Sequence, residues 1–215
     1  MKLKKSILII PCLLCLLLIG TGVAYFVLQP TPGRISVFFV SAPDDDARTF
    51  LAERSDVGYG NEDGQWALLQ LSPSYSFGLR FRNISIPRYA EIKEAYVKLY
   101  SIGTPRSNRP NCLIYGDKIN NSYNFTTYGV FERCGRNYTQ AVVDWNESVA
   151  FSVWVETPNL QSIIQEIVTN ETWEENNSLS LLFITKGIPG YSATFQNVES
   201  GYASALLVKW IDPRT

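Results

Sequence analysis

Two short acidic segments contain the carboxylate and amide side chains that could bind a metal ion. Oxygen-rich turns bind calcium, and sandwich-type domains often hold a terminal strand in place with one such ion. The candidate ligands are Asp44, Asp45, Asp46, Asn61, Glu62 and Asp63. Their spacing matches no EF-hand loop, and acidic clusters in turns are usually solvated. Solvated turn residues are the favoured interpretation, and a structural calcium ion, the one cofactor that the sequence suggests, is the alternative.

Catalysis is not expected from this sequence. The chain contains no histidine, so a serine nucleophile would need a lysine base, and no Ser-x-x-Lys pattern occurs after residue 30. Glycoside hydrolysis needs two carboxylates that face each other across a cleft. The acidic residues of the chain are candidates for that role only because they are carboxylates. We therefore predict that the protein is not an enzyme and name no catalytic residue.

Aromatic side chains provide a candidate binding surface. Sugar recognition usually places aromatic faces beside a few fixed polar groups in a groove. Trp66, Trp145 and Trp210 lie in strand-like runs and are expected in the core, and Trp173 is expected to seal it. Other aromatic residues lie in stretches that are typical of loops or turns. The expected ligand contacts are Trp154 and three of the tyrosines in these stretches, Tyr115, Tyr191 and Tyr202.

Residues 1–28 are predicted to be a signal-anchor helix. Three lysines precede an uncharged run, residues 7–28, which as a helix would span roughly 33 Å, about the thickness of a bilayer's hydrocarbon core. The basic end stays in the cytoplasm. The alternative is a cleaved signal peptide and secretion, because Gly22-Val23-Ala24 offers small residues to a signal peptidase. We favour the uncleaved anchor, followed by a linker at 29–34 and an extracellular domain at 35–215.

Charge argues against a nucleic-acid partner. Without the three N-terminal lysines, the chain has 16 basic and 20 acidic residues and a net charge of −4. No basic stripe is apparent, whereas a phosphate-binding surface would need one. The partners that remain are the membrane, through the N-terminal helix, and a carbohydrate or another surface protein, with self-association as a further possibility.

Cysteines and asparagines point to an oxidising location outside the membrane. Cys112 and Cys134 are most simply explained as a disulfide, because two thiols without histidine are too few for tetrahedral zinc. Asn-x-Ser/Thr triplets are also more frequent than the roughly two expected by chance. Polar loops rich in Asn, Ser and Thr explain part of this excess, and N-glycosylation explains the rest. The seven acceptor sites are Asn83, Asn120, Asn124, Asn137, Asn146, Asn170 and Asn176.

Short alternating segments predict a mostly β fold. In FGLRFRNISIPRYAEIKEAYVKLY, residues 77–100, two apolar runs flank a break that contains Pro87, which is typical of strand, turn and strand. One amphipathic helix is predicted with Thr157 as its N-cap and Pro158 in its first turn, and it should cover an open edge or end of the domain. Many short strands favour a β-sandwich. The other predicted strands are 35–40, 66–71, 141–145, 179–185, 193–197 and 205–210.

Three segments carry a resemblance to a known group of domains. The segment at 77–100, the segment TPNLQSIIQEIVTNETWEENNSLSLLFI and the segment SATFQNVESGYASALLVKW resemble modules of prokaryotic surface proteins. Those modules are related to the DNRLRE and disaggregatase-related families, and the similarity covers roughly residues 77–210. It implies a jelly-roll β-sandwich akin to carbohydrate-binding modules, with a non-catalytic binding or adhesion role. The insertion between Cys112 and Cys134 departs from those modules, and the domain is expected to stand alone on its anchor without an attached enzyme.

The expected function is non-catalytic binding at a cell surface. A membrane-anchored, N-glycosylated jelly-roll domain would bind a carbohydrate or mediate adhesion. The alternative is a structural subunit of the cell envelope or of a surface filament. In that case an extended segment such as 35–40, within RISVFFV, would add a strand to a neighbour's sheet. Pairing of the same segment within its own sandwich is the simpler outcome.

Overall fold

Two antiparallel sheets form the fold in the computed structural model, which describes residues 33–50, 68–102, 108–126, 130–131 and 135–214. Sheet A contains six strands: β1 Arg34–Phe39, β3 Leu68–Leu71, β5 Glu91–Ser101, β8 Val153–Glu156, β10 Ala193–Gln196 and β11 Ala205–Ile211. Sheet B contains five strands: β2 Asp46–Phe50, β4 Tyr75–Phe81, β6 Cys112–Gly116, β7 Val143–Trp145 and β9 Leu179–Thr185. The α-helix of the described residues is α1, Gln161–Val168. The predicted mostly β, sandwich-like architecture with one helix is therefore confirmed.

The pairing of strands places β5 at the centre of sheet A. β11 pairs with β1 on one side and with β5 on the other. β11 and β8 both pair with β5 at Lys98, so they lie on opposite sides of that strand. In sheet B, the strand order is β2, β4, β9, β6 and β7. Each pairing is antiparallel, and the two sheets enclose the main core between them, whereas the outer face of sheet B is covered by a second apolar cluster of Ala47, Phe125, Val130, Phe131 and Leu182.

Aromatic rings fill the core between the sheets. Phe77 stacks on Phe183 with ring centroids 4.3 Å apart, and Trp145 stacks on Phe195 at 5.6 Å. The Trp173 indole N–H donates a hydrogen bond to the Ile86 carbonyl, so its polar edge is satisfied inside the core. The predicted burial of Trp145, Trp173 and Trp210 is confirmed, whereas Trp66 lies outside the described residues.

The helical segment covers the edge of β5 beyond β8, as the sequence predicted. Asn159 and Gln165 accept hydrogen bonds from the backbone amides of Ala95 and Ile92, and Gln161 donates to the Ile92 carbonyl. These side chains thus form hydrogen bonds with the backbone groups of β5 that would otherwise pair with a further strand. The buried face of α1 is apolar and consists of Ile163, Ile164, Ile167 and Val168.

The predicted start of the helix was wrong. α1 begins at Gln161 after Leu160, and not directly after Thr157. The Thr157 hydroxyl accepts a hydrogen bond from the Val97 amide at 3.1 Å, so this side chain serves the sheet edge and does not cap the helix. Thr157 could have capped the helix, but its hydroxyl is hydrogen-bonded to β5 instead. The sequence pattern alone does not show that β5 lies beside Thr157.

A loop folds over the outer face of sheet B and is held by a buried ion pair. The Arg136 guanidinium lies 2.8 Å from the Asp117 carboxylate, and both side chains are 1% exposed. Arg136 also donates to the carbonyls of Tyr123 and Asn124, and it stacks over the Phe125 ring at 4.6 Å. These contacts join Arg136 to earlier residues of the same loop and to Asp117, which directly follows β6.

Candidate ligand-binding site

The register between β5 and β8 places two aromatic side chains side by side on the outer face of sheet A. Val97 and Leu99 of β5 are fully buried, so the alternate residues Lys98 and Tyr100 point outward. Tyr100 pairs directly with Trp154 of β8. Directly opposed side chains on one face of an antiparallel pair lie close enough to touch. The outward position of this pair therefore follows from the alternation of β5.

A third ring completes an aromatic cluster, which consists of Tyr100, Trp154 and Tyr202. The Tyr100 and Tyr202 centroids are 4.2 Å apart, those of Tyr100 and Trp154 are 5.5 Å apart, and those of Trp154 and Tyr202 are 6.1 Å apart. The Tyr100 hydroxyl donates to the Ser152 carbonyl at 3.0 Å. Trp154 is 49% exposed and Tyr202 is 37% exposed. The three rings pack against one another, and Trp154 and Tyr202 remain partly exposed to solvent.

An apolar groove of about 390 Å³ lies beside this cluster. Phe39 on β1 and Trp154 on β8 stand on its two sides, because β11 and β5 run between those strands. Its lining residues are Val37, Phe39, Lys98, Trp154, Ala203, Ala205 and Leu207. The small side chains at Ala203 and Ala205 leave room between the larger ones. A planar apolar group could therefore lie in the groove.

One ion pair adds polar groups to the groove. The Lys98 ammonium lies 3.3 Å from a Glu156 carboxylate oxygen, and both side chains are about half exposed. Exposed ion pairs contribute little to stability. Here the pair offers hydrogen-bond donors and acceptors beside the aromatic rings, which is the combination that ligand pockets use to orient a bound molecule.

The structure brings together two of the four predicted ligand contacts. Trp154 and Tyr202 share the cluster, whereas Tyr115 stacks on Tyr138 at 4.6 Å over the outer face of sheet B. Tyr191 is half-buried and packs against the Arg109 guanidinium at 5.1 Å. Sequence reasoning missed Tyr100 because residues 77–100 were interpreted only as strand, turn and strand, with no ligand contact among them. The alternation that buries Val97 and Leu99 could have revealed the outward position of Tyr100.

The predicted calcium ligands that the structure describes are already paired with other groups. Arg82 and Asn124 donate to Asp44 at 2.7 and 2.8 Å, and Arg80 donates to Asp45 at 2.7 Å. Within the described residues, no three acidic or cysteine side chains form a group that could hold a metal. Asn61, Glu62 and Asp63 lie outside the described residues. The calcium site therefore stays a prediction, whereas the favoured interpretation of solvated turn residues was wrong for Asp45 and Asp46, which are buried.

Asp46, the third residue of the acidic run, is buried on β2. Its carboxylate accepts a hydrogen bond from the Val198 amide at 2.9 Å. Burial raises the pKa of Asp46 to about 7, the Val198 hydrogen bond opposes the rise, and the negative charges of Glu199 and Asp45 add to it. The hydrogen bond joins β2 to the turn at Val198–Ser200, which lies shortly before the cluster residue Tyr202.

All seven predicted glycosylation sites lie in loops between the strands. Five of the acceptor asparagines are exposed: Asn83, Asn120, Asn137, Asn146 and Asn176. Asn124 and Asn170 are half-buried. The Asn124 side-chain nitrogen, which would carry the glycan, donates to Asp44 at 2.8 Å. A glycan at that position would compete with this hydrogen bond.

The cysteine prediction rests on one described residue. Cys112 is buried in the main core without a bond to any other described cysteine, and burial raises the pKa of its thiol far above its usual value. Cys134 lies outside the described residues, so the disulfide stays a prediction. The predicted N-terminal anchor also lies outside them. Among the described residues, no helix has the length and apolarity needed to cross a membrane.

No family model matches the sequence, and none of the curated proteins matches it.

Proposed function

We propose that the chain is a non-catalytic binding domain of a cell-surface glycoprotein and that its ligand is a carbohydrate. The observation that carries the proposal is the exposed aromatic cluster of Tyr100, Trp154 and Tyr202 beside the groove. Aromatic faces stack on the apolar C–H faces of sugar rings, and adjacent polar groups bind the hydroxyls. Lys98 and Glu156 supply those polar groups.

The wider proposal includes the jelly-roll topology and the surface location. Two facing antiparallel sheets with a covering helix agree with the prokaryotic surface modules that the sequence resembles. The loop positions of the acceptor asparagines agree with glycosylation outside the cell. A membrane anchor at 1–28 would hold the domain at the surface. Secretion after cleavage is the alternative.

A glycan array tests the ligand class. The full-length protein is screened, and the sugars that bind are titrated by calorimetry against the wild type and the Trp154→Ala variant. Loss of the stacking face should weaken binding by about 2 kcal/mol, roughly 30-fold in Kd. Tyr89→Ala is the matched control because Tyr89 is 51% exposed and is not among the groove-lining residues. Equal weakening by both variants, or no bound sugar, would contradict the proposal.

Peptide mapping by mass spectrometry tests the location. It reports the mature N-terminus, the occupancy of each acceptor asparagine and the state of Cys112 and Cys134 in natively purified protein. Occupied asparagines with an intact N-terminal segment would support the anchored form. Bare asparagines together with two free thiols would contradict export.

A further inference from the structure

We propose that β1 is a self-pairing edge, and that two copies of this chain join their A sheets by antiparallel β1–β1 pairing about a two-fold axis at Val37. Within the described residues, β1 pairs with β11 on one side, and no strand pairs with its other side. The inference does not depend on sugar binding, since it concerns the backbone edge of sheet A.

The alternation of backbone hydrogen bonds along β1 identifies the residues whose N–H and C=O groups point away from β11. The Val40 amide donates to the Ser204 carbonyl at 2.9 Å, in continuation of the β1–β11 register. Alternate residues of an antiparallel strand direct their N–H and C=O groups to the same neighbour. The even-numbered residues of β1 therefore bond to β11. Ile35, Val37 and Phe39 direct their backbone groups to the open side.

The side chains of the same three residues form an apolar stripe. Ile35 is 72% exposed, Val37 is 46% exposed and Phe39 is 58% exposed. β1 is also the longest of the strands at the ends of the two sheet orders: it has six residues, whereas β2 has five, β3 four and β7 three. Natural edge strands are usually protected by charges, prolines or bulges. Residues 35–41 contain no charge and no proline.

Self-pairing is the arrangement that this edge permits without repulsion. With Val37 on the axis, Val37 faces its own copy and Ile35 faces Phe39 of the second copy, so all three edge-facing residues form hydrogen-bonded pairs. Arg34 is the charged residue of β1, and it is bound to Asp212 at 3.5 Å. The two copies of Arg34 would lie about 20 Å apart along the strands, well beyond the screening length of about 8 Å.

The pairing has a consequence for the groove. A two-fold axis within a continuous sheet is perpendicular to that sheet, so both outer faces point to the same side. Val37 and Phe39 line the groove and also belong to the edge. The dimer would therefore present two aromatic clusters on one surface, which suits a ligand with repeated units.

Cysteine cross-linking of the full-length protein tests both pairing and register. In Val37→Cys, the two new cysteines would have Cα atoms about 5.5 Å apart, within the range that a disulfide spans. Ile35→Cys is the matched control, because its two copies would lie about 14 Å apart. We expect mild oxidation to yield dimers at least tenfold faster in Val37→Cys than in Ile35→Cys. The wild type measures the background from its own cysteines.

Sedimentation velocity in a mild detergent provides a second readout. Val37→Lys places two positive charges on the axis and should weaken dimerisation at least tenfold, whereas Val37→Thr keeps a β-branched side chain and should dimerise like the wild type. A wild type that is monomeric at every concentration would overturn the proposal. Equal cross-linking rates for the two cysteine variants would also overturn it, as would an edge covered by another part of the chain or by a different protein.

Discussion

The buried acid Asp46 makes the stability of the domain depend on pH. Its side chain is 2% exposed, and burial raises its pKa from 3.8 to about 7. Between these two values the folded protein binds more protons at Asp46 than the unfolded chain does. The free energy of unfolding therefore falls as pH rises through this window, and it levels off above about pH 7.

The size of this effect follows from the pKa shift. A shift of about three pH units corresponds to about 4 kcal/mol in total, at about 1.4 kcal/mol per unit. Between pH 5 and pH 8 the loss from Asp46 alone amounts to about 2.5 kcal/mol. Asp46→Asn removes the titrating group, and its amide oxygen can still accept the Val198 hydrogen bond. The variant should gain about 2.5 kcal/mol relative to the wild type over that range.

Urea unfolding at four pH values from 5 to 8 measures this difference. Comparison of variant and wild type cancels the titration of groups that do not interact with Asp46. Glu199→Gln serves as a second variant, because the charge of Glu199 contributes to the raised pKa of Asp46 and its removal should lower the midpoint of the effect. A difference between Asp46→Asn and the wild type that stays constant with pH would refute the reasoning.

Two further predictions concern packing and the buried ion pair. Arg136→Met leaves the Asp117 carboxylate buried without its cation and should cost about 3–5 kcal/mol in urea unfolding, although Ser122 and the Asn137 amide still donate hydrogen bonds to that carboxylate. A smaller loss than about 1 kcal/mol would contradict a tightly coupled pair. Gly116→Ala would place its Cβ 2.6 Å from Ile167 and 2.8 Å from Ile163, and overpacking should cost about 1–3 kcal/mol. Gly33→Ala, whose nearest contact would be 3.7 Å, should be nearly neutral; equal losses would contradict the close approach of α1 to β6.

Much of the fold was predictable from local pattern. The short apolar run at 179–185, between Ser178 and Gly187, matches β9, and the amphipathic residues of α1 identify the helix that covers β5. Three strands were missed: β2, β6 and β8. The sequence of β2, DARTF, contains two charges, and β8 has four residues within a longer mixed segment. Short strands of this kind are stabilised mainly by pairing with a neighbouring strand, so their own sequence gives little basis for predicting them.

The candidate site was predictable only in part. Trp154 and Tyr202 could be named because the other tryptophans were expected in the core and because the sequence around Tyr202 is typical of a loop or turn. Their contact with Tyr100 could not be predicted, because it depends on the register of β5 with β8 and on the path of the turn after β10. The alternation of RISVFFV predicted a strand, and its open side became evident only from its position beside β11.

Protection of Trp154 by a bound sugar tests the central claim most directly. Trp145, Trp173 and Trp210 are at most 3% exposed, so acrylamide should quench Trp154 preferentially among the described tryptophans. Trp154→Phe provides the signal of the remaining tryptophans, including Trp66. If the aromatic cluster binds the sugar, a saturating oligosaccharide will lower the quenching constant of the wild type and leave that of Trp154→Phe unchanged. Binding measured by calorimetry with no change in the quenching of Trp154 would contradict the proposed site.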